Sequence, residues 1–147
     1  MFVEQMLQQA HRRLKTIAAA APIKSAAMLM AEPHTDIVIV CDDHGAMVGA
    51  LTKTDIVRQI SRCSGNGCLA SVDTIMTCDI VSCRPTDELH DVWATMQKAG
   101  LQRVPILDQQ QVPIGIIYAR DALQNLLDET ENVEALMRDY MMNVGYQ

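Results

Sequence analysis

Two stretches of this chain lie over one another without a gap, and that self-similarity limits the fold more than any other feature. VIVCDDHGAMVGALTKTDIV at residues 38–57 matches VPILDQQQVPIGIIYARDAL at residues 104–123. Asp42 meets Asp108, Gly49 meets Gly115 and Asp55 meets Asp121, each pair 66 positions apart. A fixed period of this kind marks a duplicated supersecondary unit. Each copy spans about 50 of the 147 residues, too few to bury a comfortable core alone. The expected solution is two units packed with pseudo-twofold symmetry. Upstream, Pro22 and Pro85 are 63 apart, which predicts a first copy about three residues shorter around its first helix.

Each copy reads as β-α-β-β-α, an α/β (α+β) class, with an extra helix at each end of the chain. In the second copy Asp79 to Ser82 reads as a short strand and Arg84 to Asp87 as a turn. Thr86 or Asp87 suits the cap of a helix running to about Ala99. Leu89, Val92, Trp93 and Met96 share one helical face, and Gly100 suits the left-handed residue beyond it. Val104 to Leu107 and Pro113 to Tyr118 read as strands around a turn at Asp108 to Gln111, and Asp121 opens a helix to about Leu127. In the first copy the same elements are a helix at Lys24 to Met30, a strand at Ile37 to Val40 and a hairpin turn at Asp42 to Gly45. The predicted divisions are an N-terminal helix at 1–13, repeats at 14–62 and 73–128, a Gly-, Asn- and Ser-bearing linker at 63–72, and an acidic C-terminal helix at 129–147.

Composition excludes several function classes. Hydrophobic residues make up 49% and charged residues 20%, which rules out a disordered chain. The net charge of −6 is concentrated in residues 121–147, which hold six acids and one base, Arg138. No basic face of the size nucleic acid requires is present, and five aromatic residues cannot build a base-stacking platform. The longest uncharged apolar run, Ile17 to Ile23, is too short for a membrane span. With no secretory pattern at the start and an odd count of five cysteines, reduced thiols in a cytoplasm are expected.

Both copies carry a Gly at the end of a strand and an Asp six residues on: Gly49-Ala50-Leu51-Thr52-Lys53-Thr54-Asp55 and Gly115-Ile116-Ile117-Tyr118-Ala119-Arg120-Asp121. With the unit order and the hairpin, these segments resemble the tandem CBS-domain pair, named for cystathionine β-synthase, over residues 14–128. The resemblance implies two units around a shared cleft, dimerisation into a flat disc, and binding of adenosine compounds such as AMP, ADP, ATP or S-adenosylmethionine. It implies a regulatory role without catalysis and with no required cofactor. The family motif is Gly, two apolar residues, Ser or Thr, two residues, Asp, and the first copy matches it in full.

The chemistry behind that motif is simple. Gly49 allows close backbone approach. Thr52 offers a hydroxyl, and with Lys53 it lies at a helix start that favours phosphate. Asp55 has two oxygens for two ribose hydroxyls; the plain alternative is that it only favours the helix dipole. In the second copy Tyr118 replaces the expected Ser or Thr, either plugging the site or stacking on a ligand. Arg120 and Arg103 are candidate phosphate partners beside Asp121. The resemblance implies adenine contacts from Cys78, Ile80, Ser82, Val104 and Pro105 in the second copy. In the first copy it implies them from residues 16–20 and from 36–39, which include Ile37 and Val38. There Asp36 or Ile37 stands where a basic residue is expected, which disfavours polyphosphates.

Other groupings are weaker. The Cys63/Cys68 and Cys78/Cys83 pairs are loosely spaced for zinc, and nothing marks Cys63 and Cys68 as a thiol switch. His11, His34, His44 and His90 are scattered, and no catalytic constellation occurs. Phe2, Met6, Leu7, Ala10, Leu14 and Ile17 form one apolar stripe, and Val133, Leu136, Met137, Tyr140 and Met141 another; each is expected to pack on its own protein or a twofold mate. The expected protein is thus a regulatory homodimer that senses an adenine nucleotide or other adenosyl compound and signals to an effector protein. The alternative is a dimerisation module without a ligand; a cysteine-based redox or metal protein is least favoured.

Overall fold

The computed structural model describes residues 1–62 and 70–145. The chain opens with a 3-10 turn at Val3–Met6 and helix α1 (Leu7–Arg12). The first half follows as β1 (Thr16–Ala18), α2 (Ile23–Met30), β2 (Ile37–Cys41), β3 (Met47–Thr52) and α3 (Lys53–Arg62). The second half has a 3-10 turn at Val72–Thr74, then α4 (Leu89–Ala99), β4 (Arg103–Leu107), β5 (Pro113–Tyr118) and α5 (Ala119–Gly145). In the first sheet β1 runs parallel and β3 antiparallel to the central β2. The second sheet is the antiparallel pair β4–β5.

The 66-residue spacing holds far beyond the two hairpins. Asp42 and Asp108 build the same turn, each accepting two backbone N–H bonds on Oδ1 at 2.8–3.0 Å. The left-handed residue is Gly45 (φ 83°) in one and Gln111 (φ 66°) in the other. The register breaks at Val40/Cys41 and again at Ile106/Leu107. Upstream, Pro22 and Glu88 are the residues before α2 and α4, so Pro85 corresponds to Ala19 and not to Pro22. The expectation of a shorter first copy is therefore corrected. Only the helix is shorter: α2 has eight residues and α4 eleven. Pro33 disfavours helical geometry at Glu32, and His34 (φ 67°) takes the left-handed role that Gly100 (φ 69°) plays after α4.

The strand expected at Asp79 to Ser82 does not form. A single parallel bridge, Cys83 to Ile106, stands where β1 pairs Ile17 with Val40. Two prolines account for this. In the first sheet the Ala19 N–H donates to Cys41 O (2.9 Å) and the Ile39 N–H to Lys15 O (2.8 Å). The matching residues are Pro85 and Pro105, which have no N–H. The ladder is cut on both sides of Cys83, and residues 79–82 are left without a sheet partner. The cap expected from Thr86 or Asp87 is also corrected: Glu88 precedes α4 without a side-chain cap, and Asp87 accepts the Arg84 N–H (2.9 Å) within the turn.

The two C-terminal helices expected at about 121–127 and 129–147 are one helix. No Gly or Pro lies between Ala119 and Gly145, so nothing in the sequence stops it. Its residues Val133, Leu136, Met137, Tyr140 and Met141 are exposed and uncovered within this chain. The N-terminal stripe fares differently. Val3, Met6 and Ala10 are buried, Phe2 is exposed, and Ile17 belongs to β1 because the helix ends at Arg12. No helix among the described residues is long and apolar enough to cross a membrane.

Each half has its own core, and a third cluster joins them. Leu51, Val38 and Val72 pack with α2, whereas Leu89, Met96 and Ile117 pack with Val3 and Ala10. Between the sheets Ile37, Ile39 and Ala50 meet Ile116 and Tyr118. Each fully buried Ile there contributes about 1.5–3 kcal/mol. The segments leading into the halves are crossed. Phe2 bridges Glu88, and Ser71 bridges Pro22. A Cβ on Gly115 would lie 2.9 Å from the Ala10 Cβ, and one on Gly49 would lie 2.9 Å from Thr77 O. Each lead-in segment thus packs on the motif strand of the opposite half, and glycine permits the approach.

Candidate functional site

The crossing decides what meets at each motif. Thr52 ends β3, and Asp55 lies in the first turn of α3. The Thr52 N–H (2.9 Å) and hydroxyl (3.2 Å) both donate to Asp55 Oδ2. Among the described residues Oδ1 of Asp55 takes no hydrogen bond, so that oxygen retains its acceptor capacity. Asp55 lines a cleft of about 410 Å³ together with Ile37 and Thr52 of the first half and Thr77, Asp79, Ile80 and Arg103 from later in the chain. That volume lies within the range of small-molecule sites.

Charge around the cleft is largely paired. Asp36 receives Arg103 Nη2 at 3.3 Å and Lys53 Nζ at 3.6 Å. The Nε of Arg103 is buried without a partner, a polar group awaiting an acceptor. Asp79, which also lines the cleft, is exposed. The cleft therefore offers two carboxylates and one guanidinium already shared with Asp36.

The second motif is arranged differently. Asp121, in the first turn of α5, is only 6% exposed. Arg13 Nε donates to its Oδ2 at 3.0 Å and Arg13 Nη2 to its Oδ1 at 3.1 Å. This two-pronged pair is among the strong hydrogen-bonded geometries. It raises the pKa of the Arg13 guanidinium, chiefly through the hydrogen bonds to Asp121. Tyr118 is buried, and its ring lies between Arg13 (4.4 Å) and Arg103 (5.3 Å). The N-terminal segment is held by further contacts to α5: Asn125 Nδ2 donates to Gln9 Oε1 (3.0 Å), and the Met1 amine lies 3.5 Å from Glu129.

The remaining candidates scatter. Ile80 and Arg103 were grouped with the second copy on the resemblance; Ile80, on the crossed lead-in, lines the Asp55 cleft, and Arg103, at the start of β4, lines both that cleft and the cavity beside Tyr118 and Arg120. Cys78 is exposed and outside that cleft. Ser82 and Val104 line a separate cavity of about 200 Å³ beside Cys83 and Asp87. Val38 faces the first core, and Pro105 is buried in β4. Gly49 is pressed against Met76 and Thr77. Arg120 is exposed at a cavity of about 280 Å³ that it shares with Gln102, Arg103 and Tyr118. Arg13, Thr77 and Asp79 were not foreseen. Extending the 66-residue spacing upstream finds them, because it pairs Arg13 with Asp79.

Cys63 and Cys68 lie outside the described residues. Cys41, Cys78 and Cys83 are free thiols. Burial, then the Asp87 charge, pushes Cys83 up to about 12. Cys41 is raised by burial and by Asp42. Both are poorly disposed to thiolate chemistry. No group of three or more potential metal ligands occurs among the described residues.

Comparison with known proteins agrees with this fold. The CBS domain family model matches residues 3–62 and 72–128. A homoserine O-acetyltransferase of Methanosphaera stadtmanae is 30% identical over 102 residues, covering 69% of this chain and 20% of the relative. The chain spans about a fifth of the length of that relative and of other archaeal relatives it matches. Among solved structures, CBSX2 in complex with AMP superposes with a TM-score of 0.73 at 20% identity, covering 88% of this chain and 98% of that one. The CBS domain pair of protein MJ0100, in complex with 5′-methylthioadenosine and S-adenosyl-L-methionine, superposes at 0.69 with 21% identity and 88% and 98% coverage.

Proposed function

The chain belongs to the CBS-domain family, and from that premise we propose that it is a regulatory module that binds an adenosyl compound in the Asp55 cleft. The observation that carries the reading is that Asp55 lines a cleft of about 410 Å³ while its Oδ1 takes no hydrogen bond among the described residues. The carboxylate accepts ribose hydroxyls there, Thr52 and the α3 N-terminus face the groups beyond the ribose, and Ile37 and Ile80 flank the base. Solved relatives that hold AMP, S-adenosyl-L-methionine or 5′-methylthioadenosine support the ligand class. The output is allosteric rather than catalytic. The cleft is walled by both halves, so a ligand that prefers one arrangement of them shifts the population toward it, by no more than that preference. The reading includes a cytoplasmic homodimer and an effector protein, and the exposed apolar face of α5 offers a surface for such association.

A thermal-shift panel of AMP, ATP, S-adenosylmethionine and 5′-methylthioadenosine tests the reading. A ligand at about 100 times its Kd stabilises the fold by about 2.7 kcal/mol. No shift with any compound, on protein freed of co-purified ligand by unfolding and refolding, leaves a dimerisation module as the surviving account.

A further inference from the structure

Arg13 and Asp79 occupy the same position in the two lead-in segments; Arg13 bonds the motif Asp of the opposite half, and Asp79 lines one cleft with the other motif Asp. The consequences are opposite. Asp79 has no donor to offer, and among the described residues Oδ1 of Asp55 takes no hydrogen bond. Arg13 brings a planar fork whose Nε and Nη2 donate one bond to each oxygen of Asp121, at 3.0 and 3.1 Å. Two donors on two carboxylate oxygens is the pattern a vicinal diol makes on a carboxylate. The same guanidinium lies 4.4 Å from the centre of the Tyr118 ring, so it also covers the aromatic face a ligand would use.

We propose that Arg13 is a built-in occupant of the second ligand site, standing in for the ribose diol, so that each chain takes one adenosyl ligand and not two. The inference rests on the ligand class proposed above. It adds that the Asp121 site is latent, and that what keeps it closed is a side chain of the N-terminal segment, not loss of the acceptor. The contacts of Gln9 with Asn125 and of Gly115 with Ala10 hold that segment in place and keep Arg13 seated.

The test is the stoichiometry of binding by titration calorimetry, with AMP, S-adenosylmethionine and 5′-methylthioadenosine each used as probe. The parent chain is expected to take one molecule, lost in Asp55→Asn. Arg13→Ala is expected to take two, the second lost on adding Asp121→Asn. Arg13→Gln, which keeps the stem and one donor but no charge, serves if Arg13→Ala does not fold, and is expected to admit the second molecule more weakly. Two molecules bound by the parent overturn the proposal, as does a folded Arg13→Ala that still takes one through Asp55. A parent that binds none while Arg13→Ala binds one through Asp121 upholds the proposal and overturns the reading of the Asp55 cleft. No binding by either protein overturns both.

Discussion

The two halves of this molecule share their hairpins, bulges and helix starts at a constant spacing, yet they treat the same carboxylate in opposite ways. Asp55 is tied to its own strand end by Thr52, lines a cleft, and has one oxygen without a hydrogen bond among the described residues. Asp121 spends both oxygens on Arg13, whose guanidinium also lies over the ring of the buried Tyr118. The difference arises at two positions, Thr52 against Tyr118 and Asp79 against Arg13. In the function proposed above one half keeps a site, whereas the other uses its motif carboxylate to dock the N-terminal segment. On that reading a duplicated fold assigns binding to one copy and stability to the other.

The largest effect separating the halves is on stability. Asp121→Ala leaves Arg13 against an apolar wall without its partner. Breaking such a pair costs about 3 kcal/mol, the lower end for a buried pair because Arg13 is partly exposed. Asp55→Ala forfeits only the two bonds from Thr52, about 1 kcal/mol. Urea unfolding midpoints of the two variants check this, and equal losses would erase the division of labour. The next effect is on affinity. Asp55→Asn removes a charged acceptor worth about 1.5–3 kcal/mol, or roughly tenfold to over a hundredfold. Asp121→Asn leaves adenosyl binding unchanged wherever the protein is still folded. Fluorescence competition or calorimetry with S-adenosylmethionine distinguishes the two variants.

The smallest effect tests whether the halves are alike in backbone. Gln111 holds the left-handed position that Gly45 holds in the first hairpin. A side chain there costs about 1–2 kcal/mol, partly offset by the greater chain entropy of glycine. Gln111→Gly is expected to stabilise by about 0.5–1 kcal/mol and Gly45→Gln to destabilise by a similar amount. Thermal denaturation of both variants reads the pair, and a loss in Gln111→Gly breaks the equivalence.

Much of the fold was legible in the sequence because it is periodic. Apolar runs around turn residues placed β2, β4 and β5, and the Leu89, Val92 and Met96 face placed α4. What misled was an alignment of two prolines. Matching Pro22 to Pro85 hid the fact that Pro85 and Pro105 sit where Ala19 and Ile39 donate, and so hid the loss of the strand at 79–82. The same mismatch hid the Arg13 and Asp79 relation, since both lie upstream of the prolines. The motif residues Thr52 and Asp55 could be read locally. Their cleft partners could not, because the crossing of the lead-in segments is a tertiary fact that brings Thr77 and Ile80 to the opposite half.

The central claim is that the Asp55 half is open and the Asp121 half is filled. Amide chemical-shift mapping by two-dimensional NMR, with AMP, S-adenosylmethionine and 5′-methylthioadenosine titrated into the parent protein, tests it most directly. The account predicts perturbations at Thr52, Asp55, Thr77 and Ile80, with Arg13, Tyr118 and Asp121 unmoved in their direct contacts. Perturbations concentrated at Arg13, Tyr118 and Asp121, with Thr52 and Asp55 silent, would contradict it.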